Sequence, residues 1–253
     1  MTGMSLFLHS LRQVFGNFDA AVRISIPAAV MMVVMYLMAP GLITAMVAPE
    51  QILTDQTTNY RFIFFGVIAL VVGILWTAVA WHRYILREET PGALPEFHGS
   101  AILSYLGWSV LIGIIMALFG MLMGGIIGIL MGTIGMSFQS IARWVPIFTV
   151  LPITYLAYRL SLVLPSRALG EGLRLEQSWQ ATESASGAIF GLSVIALVVA
   201  LVADILLFSL FANLGTVPLL VAYLLYQWVY MMVGISILST LYGVCVEKRE
   251  LVV

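Results

Sequence analysis

The chain has 253 residues, of which 62% are hydrophobic and only 9% are charged, and its mean hydropathy is +1.07. No soluble globular domain of this size has such a balance, so the composition predicts one polytopic membrane domain over residues 1–253. The formal net charge is −1 and the 11 basic residues are scattered, which excludes the basic surface of a nucleic-acid-binding protein. Several apolar runs reach the roughly 20 residues of a spanning helix, which predicts an all-α fold.

The N-terminal segment combines an amphipathic helix with the first hairpin. Apolar residues recur at three- and four-residue steps from Met4 to Phe18, which predicts an interfacial helix over about residues 4–22. The first two spans follow at about 24–46 and 62–81, separated by a polar loop. Pro27 is expected in the first turn of its helix, and Pro40 should kink or end that helix.

Residues 101–137 contain no charged side chain, and the topology depends on whether they cross the membrane once or twice. With one crossing, nine basic residues lie on the side of both termini and only Arg61 and Arg143 on the other. With two crossings the split becomes five to six. The positive-inside rule therefore favours six spans with both termini cytoplasmic. We expect a third span over about 101–124, with the remaining residues along or dipping into the outer leaflet. The later spans are predicted at about 145–164, 186–212 and 217–244.

The six spans are interpreted as three two-helix units, each preceded by an interfacial helix, because the ends of the second and fourth spans are similar. The third span also carries a ladder of glycines at four-residue intervals: Gly120, Gly124, Gly128 and Gly132. Such spacing forms a shallow groove for close helix crossing. The ladder therefore predicts packing within the bundle, or contact with another membrane protein or a second copy.

One ionisable residue lies deep in a predicted span. Asp204 in the fifth span and Gln227 in the sixth are at similar depth, and a short turn connects the two spans. They predict either a structural hydrogen bond between helices or a midplane proton or cation site, with Arg143 as a further candidate member. The structural bond is the favoured interpretation, since coupled transport usually needs more than one buried carboxylate.

No metal or cofactor site is expected. His82 and His98 lie near Glu88, Glu89 and Glu96, but their spacing matches no metal-binding motif. No nucleophile elbow, phosphate-binding loop or Rossmann fingerprint occurs either, so we expect no enzymatic activity.

A resemblance to known proteins appears between residues 159 and 182. An arginine closes a span at Arg159, Pro165 and Gly170 follow, and a Leu-x-x-Ser-Trp-x-x-Thr segment runs from Leu175 to Thr182. This arrangement resembles the YciC-like six-span bacterial inner-membrane proteins, and the membrane domain attached to some glycerophosphodiester phosphodiesterases. The resemblance implies six helices in a bacterial inner membrane and carries over no catalytic or ligand-binding residue.

Two functions are compatible with these patterns. The first is a non-enzymatic inner-membrane protein that acts through helix packing, as an accessory or assembly subunit of a larger complex or as a homo-oligomer. The alternative is a small transporter or lipid-handling protein with a midplane site at Asp204 and Gln227.

Overall fold

The computed structural model describes residues 1–38 and 60–251, and all regular structure within these ranges is helical. The predicted Pro40 kink lies outside the described residues. We number the α-helices of the described ranges in chain order: α1 Gly3–Gly16, α2 Phe18–Met38, α3 Tyr60–Arg87, α4 Gly99–Thr133, α5 Phe138–Leu160, α6 Val163–Ala168, α7 Leu175–Ala181, α8 Ser186–Phe211 and α9 Thr216–Cys245.

Six of these helices are long and apolar enough to cross a membrane: α2, α3, α4, α5, α8 and α9. The predicted all-α, six-span fold is confirmed. The uncharged stretch forms one crossing, but α4 is longer than expected. It continues through the glycines to Thr133, and α5 begins at Phe138 rather than near residue 145. The expected position of the residues after 124 along the outer leaflet stays a prediction. A short turn follows the helix, which Gly135 makes possible with a φ of +81°.

The N-terminal helix also differs from its predicted extent. It ends at Gly16 because the backbone at Asn17 leaves helical geometry, with φ −122° and ψ 39°. The next helix already starts at Phe18, so Pro27 lies inside α2 rather than in its first turn. The segment before α4, residues 88–98, contains no helix. An additional helix thus precedes two of the three hairpins, α1 before α2 and α7 before α8, and not all three.

The hydrophobic core lies at the end of the bundle where both chain termini meet, which we call the termini end. The Ser10 hydroxyl donates to Thr240 Oγ1 over 3.0 Å, which joins α1 to α9. A Cβ added to Gly3 would lie 2.3 Å from the backbone nitrogen of Leu192, so α1 and α8 cross in close contact. Towards the opposite end the helices expose most of their apolar side chains, as expected for surfaces that face lipid.

Candidate functional site

A buried polar cluster joins three helices at the termini end. Trp81 Nε1 donates to Ser236 Oγ over 2.8 Å. The two ring nitrogens of His82 lie 2.8 Å from Ser239 Oγ and 3.2 Å from the Tyr105 hydroxyl. His82 is fully buried, and both of its nitrogens are used within the protein. The cluster therefore ties α3 to α4 and α9 and presents no side chain to a substrate.

The acidic and histidine residues considered for a metal do not converge on one point. Glu89 is bound to Arg83, with an Arg83 Nη2 to Glu89 Oε1 distance of 2.6 Å. His98 lies 3.8 Å from the exposed carboxylate of Glu96. Within residues 1–38 and 60–251 no group of three His, Cys, Asp or Glu side chains could hold a metal ion.

The motif that carries the family resemblance forms a compact structural unit. Arg159 is 6% exposed and donates from Nε to Thr182 Oγ1 over 3.0 Å. Its Nη2 donates to the carbonyl oxygen of Trp179, and the Ser178 hydroxyl donates back to the Arg159 carbonyl oxygen over 2.7 Å. The conspicuous residues of this segment thus fasten α7 to the end of α5.

The glycine ladder faces α5 of the same chain. A Cβ at Gly120 would lie 3.0 Å from Ile153 Cδ1, and one at Gly124 would lie 3.2 Å from Val145 Cγ1. Gly128 and Gly132 also face α5, at ordinary contact distances. In this structure the ladder lets the two helices of one hairpin approach each other, which is intramolecular packing.

The three residues of the predicted midplane site form no hydrogen bond or ion pair with one another. Asp204 is exposed on α8, and its side chain interacts with Tyr226 of α9. Gln227 Nε2 donates instead to the Tyr223 hydroxyl over 2.8 Å. Arg143 is exposed on α5 and forms no ion pair with another described residue.

Gln227 belongs to an apolar groove that the sequence did not reveal. The groove has a volume of about 750 Å³. It is lined by residues of α2, α3 and α9: Ala28, Ala29, Met32, Val33, Met35, Leu70, Ile74, Leu220, Val221, Tyr223, Leu224, Leu225, Gln227, Trp228, Tyr230 and Met231. A sequence signal for it is the spacing of Tyr223 and Gln227, four residues apart on a spanning helix, which places both on one face.

Comparison of the chain with protein-family models, with curated proteins and with solved structures gives no match. The resemblance to the YciC-like proteins therefore stays a prediction.

Proposed function

We propose that this polytopic membrane protein is a non-enzymatic assembly subunit of a bacterial inner membrane, which associates with a second copy through a pair between Asp204 and Arg143. The observation that carries the proposal is an acidic and a basic side chain that are both exposed on spanning helices and are not paired with each other.

Asp204 occupies an environment that is costly for a carboxylate. It lies on α8, where the flanking Ile205 is 59% exposed and Val202 49% exposed. Such a surface faces lipid, where an acidic residue costs at most about 3 kcal/mol at the centre of a spanning helix and less nearer the helix end, where Asp204 lies. Its only described interaction is with Tyr226, which offers one hydroxyl and no positive charge. A cation from another chain would reduce this cost.

Arg143 has the matching charge at a matching depth. It lies five residues after Phe138, where α5 begins, and Asp204 lies seven residues before Phe211, where α8 ends. With a rise of about 1.5 Å per residue, the two are about 8 and 10 Å from the same end of the bundle. Two copies related by a twofold axis would therefore form two reciprocal pairs, one Asp204 with one Arg143 each.

The alternative function, a transport or lipid-handling site shared by Asp204 and Gln227, has less support. The two side chains form no hydrogen bond with each other, and each has a different tyrosine as its partner. The glycine ladder does not supply a free association face either, because its residues contact α5. Asp204 and Arg143 thus remain the most specific basis for association.

Charge reversal tests the pair. We expect Asp204→Arg or Arg143→Asp alone to weaken self-association about tenfold, since each places like charges together. The double variant restores opposite charges and should recover most of the affinity. The measurement is native mass spectrometry of protein released from lipid nanodiscs over a range of protein-to-lipid ratios.

The matched control is the double variant Asp19→Arg and Arg23→Asp, which swaps the charges of an exposed ion pair within α2. In the wild-type chain Arg23 Nη2 lies 2.8 Å from Asp19 Oδ2. This exchange should leave the oligomer unchanged. The proposal would be overturned if neither single reversal weakened self-association, or if the wild-type chain were monomeric at every protein-to-lipid ratio. A monomer that retains a different membrane protein, and loses it on Asp204→Arg, would show an accessory subunit in place of a homo-oligomer.

A further inference from the structure

The groove between α2, α3 and α9 is a second feature, and neither Asp204 nor Arg143 lines it. Its volume of about 750 Å³ lies within the range of sites that hold small organic ligands. Its rim includes Val33, Val221 and Leu225, which are 57%, 53% and 63% exposed. The groove therefore opens sideways to the bilayer, and an apolar molecule could enter it directly from the lipid.

Tight packing on both sides of the groove maintains its shape. On one side α2 and α3 are in close contact, because a Cβ at Gly73 would lie 2.8 Å from the Pro27 carbonyl oxygen. On the other side Trp228 of α9 donates from Nε1 to Ser25 Oγ over 2.8 Å. Its ring also packs edge-on against Phe18, with centroids 5.8 Å apart. Trp228, which lines the groove, is thus held in place against α2.

Beside the phenol of Tyr230, which is 57% exposed, two polar side chains that are bonded to each other interrupt the apolar lining. Gln227 Nε2 donates to the Tyr223 hydroxyl over 2.8 Å, and no other hydrogen bond of either side chain occurs within the described residues. An amide has two N–H donors and a phenol has one O–H donor, so one donor on each side chain remains unused. In an apolar medium an unused donor costs free energy unless a ligand accepts from it.

The depth of this pair limits the chemistry of the ligand. Gln227 lies within about 5 Å of the middle of α9, which spans Thr216–Cys245. Charged lipid headgroups lie outside the hydrocarbon, which is about 30 Å thick. No charged side chain lines the groove, so an ionic group at this depth would have no counterion. The bound group must therefore be neutral and must accept hydrogen bonds.

We propose that the groove is a binding site for one uncharged, largely apolar molecule whose carbonyl oxygen accepts hydrogen bonds from both Tyr223 and Gln227. A carbonyl oxygen has two lone pairs and so uses both free donors at once. Lipid-soluble quinones carry such a carbonyl, and so do neutral esters of fatty acids. The ester carbonyls of ordinary bilayer phospholipids lie near the headgroups and do not reach this depth while the lipid stays in its leaflet.

Three probes with the same alkyl chain test this site in purified full-length protein: an alkyl benzoquinone, a fatty acid methyl ester and an alkylbenzene. Binding is measured as the shift in thermal unfolding with probe concentration. Wild-type protein should bind a carbonyl probe about tenfold more tightly than the alkylbenzene, which has no acceptor of this kind. Preference for the benzoquinone identifies a quinone site, and preference for the methyl ester identifies a neutral-lipid site.

The variants separate the polar contact from the groove itself. Gln227→Leu and Tyr223→Phe should each remove most of the preference for the carbonyl probe and leave alkylbenzene binding unchanged. Ala29→Phe, which fills the groove from an exposed position, should abolish binding of all three probes. Equal binding of carbonyl and hydrocarbon probes by wild type overturns the proposal, as does binding that survives Ala29→Phe, or no binding at all.

Discussion

The guanidinium carbon of Arg159 lies 3.5 Å from the ring centroid of Trp179, and Nη2 of the same arginine donates to the Trp179 carbonyl oxygen over 2.8 Å. Trp179 of α7 therefore contacts Arg159 both through the indole ring and through the backbone carbonyl. No carboxylate forms an ion pair with this arginine in the described chain. Its positive charge is balanced by oxygen dipoles and by the face of the indole.

Arg159→Lys should destabilise the protein by about 1–3 kcal/mol. A lysine cannot match the planar set of donors or stack on the indole in the same way. Thr182 Oγ1 and the Trp179 carbonyl oxygen each lose a charged donor and keep only the bond from the Thr182 hydroxyl to that carbonyl and to Ser178. The measurement is unfolding in mixed micelles with increasing denaturing detergent. Arg12→Lys, at an exposed position of α1, is the control and should change the free energy of unfolding by less than about 0.5 kcal/mol. Equal effects of the two changes would contradict the role assigned to Arg159.

His82→Leu should cost about 1–3 kcal/mol, because it leaves the buried Tyr105 hydroxyl without a partner. Ser239 keeps a bond to the Ile235 carbonyl oxygen. Adding Tyr105→Phe removes the orphaned hydroxyl, so the double variant should be less destabilised than the sum of the two single changes. The same unfolding assay measures this coupling. His98→Leu, at a residue with 22% side-chain exposure, serves as control, and additive effects at His82 and Tyr105 would disprove the coupling.

Gly124→Leu should destabilise the α4–α5 hairpin by about 1–3 kcal/mol, since a Cβ there would already lie 3.2 Å from Val145 Cγ1. Gly125→Leu is the matched control, because no atom beyond the adjacent residues and backbone of its own helix lies within 4 Å of its Cβ position. The control should leave the unfolding free energy unchanged or raise it slightly through better helix propensity. A folded Gly124→Leu monomer that no longer self-associates would instead assign the ladder to a partner.

The orientation in the membrane is testable with single cysteines. We expect Gly172→Cys to face the cytoplasm and Phe138→Cys the opposite side; Phe138 is 84% exposed, and Gly172 has open space around its Cβ position. A membrane-impermeant thiol reagent applied to intact cells should label only Phe138→Cys. Opening the membrane should expose Gly172→Cys, whereas the native Cys245 is buried and serves as background. Labelling of Gly172→Cys in intact cells would reverse the predicted orientation.

Much of the architecture was predictable because the lengths of the apolar runs and the positions of the charged residues can be read directly along the chain. The uncharged run over residues 101–137 and the distribution of arginines were sufficient to predict a single crossing there. The segment from Arg159 to Thr182 is also distinctive in the sequence, although only the structure shows that Ser178, Trp179 and Thr182 all contact Arg159.

The lateral arrangement of the helices required the tertiary structure. A lipid tail and a leucine side chain are equally apolar, so a spanning helix carries little periodicity to indicate which face packs and which faces lipid. For this reason the sequence could place Asp204 and Gln227 at one depth but could not show that Tyr226 interacts with the first and Tyr223 with the second. The sequence by itself thus determined how many helices cross and where the charges lie. The packing of α2, α3 and α9 decided that a groove exists and that the glycine ladder faces inward.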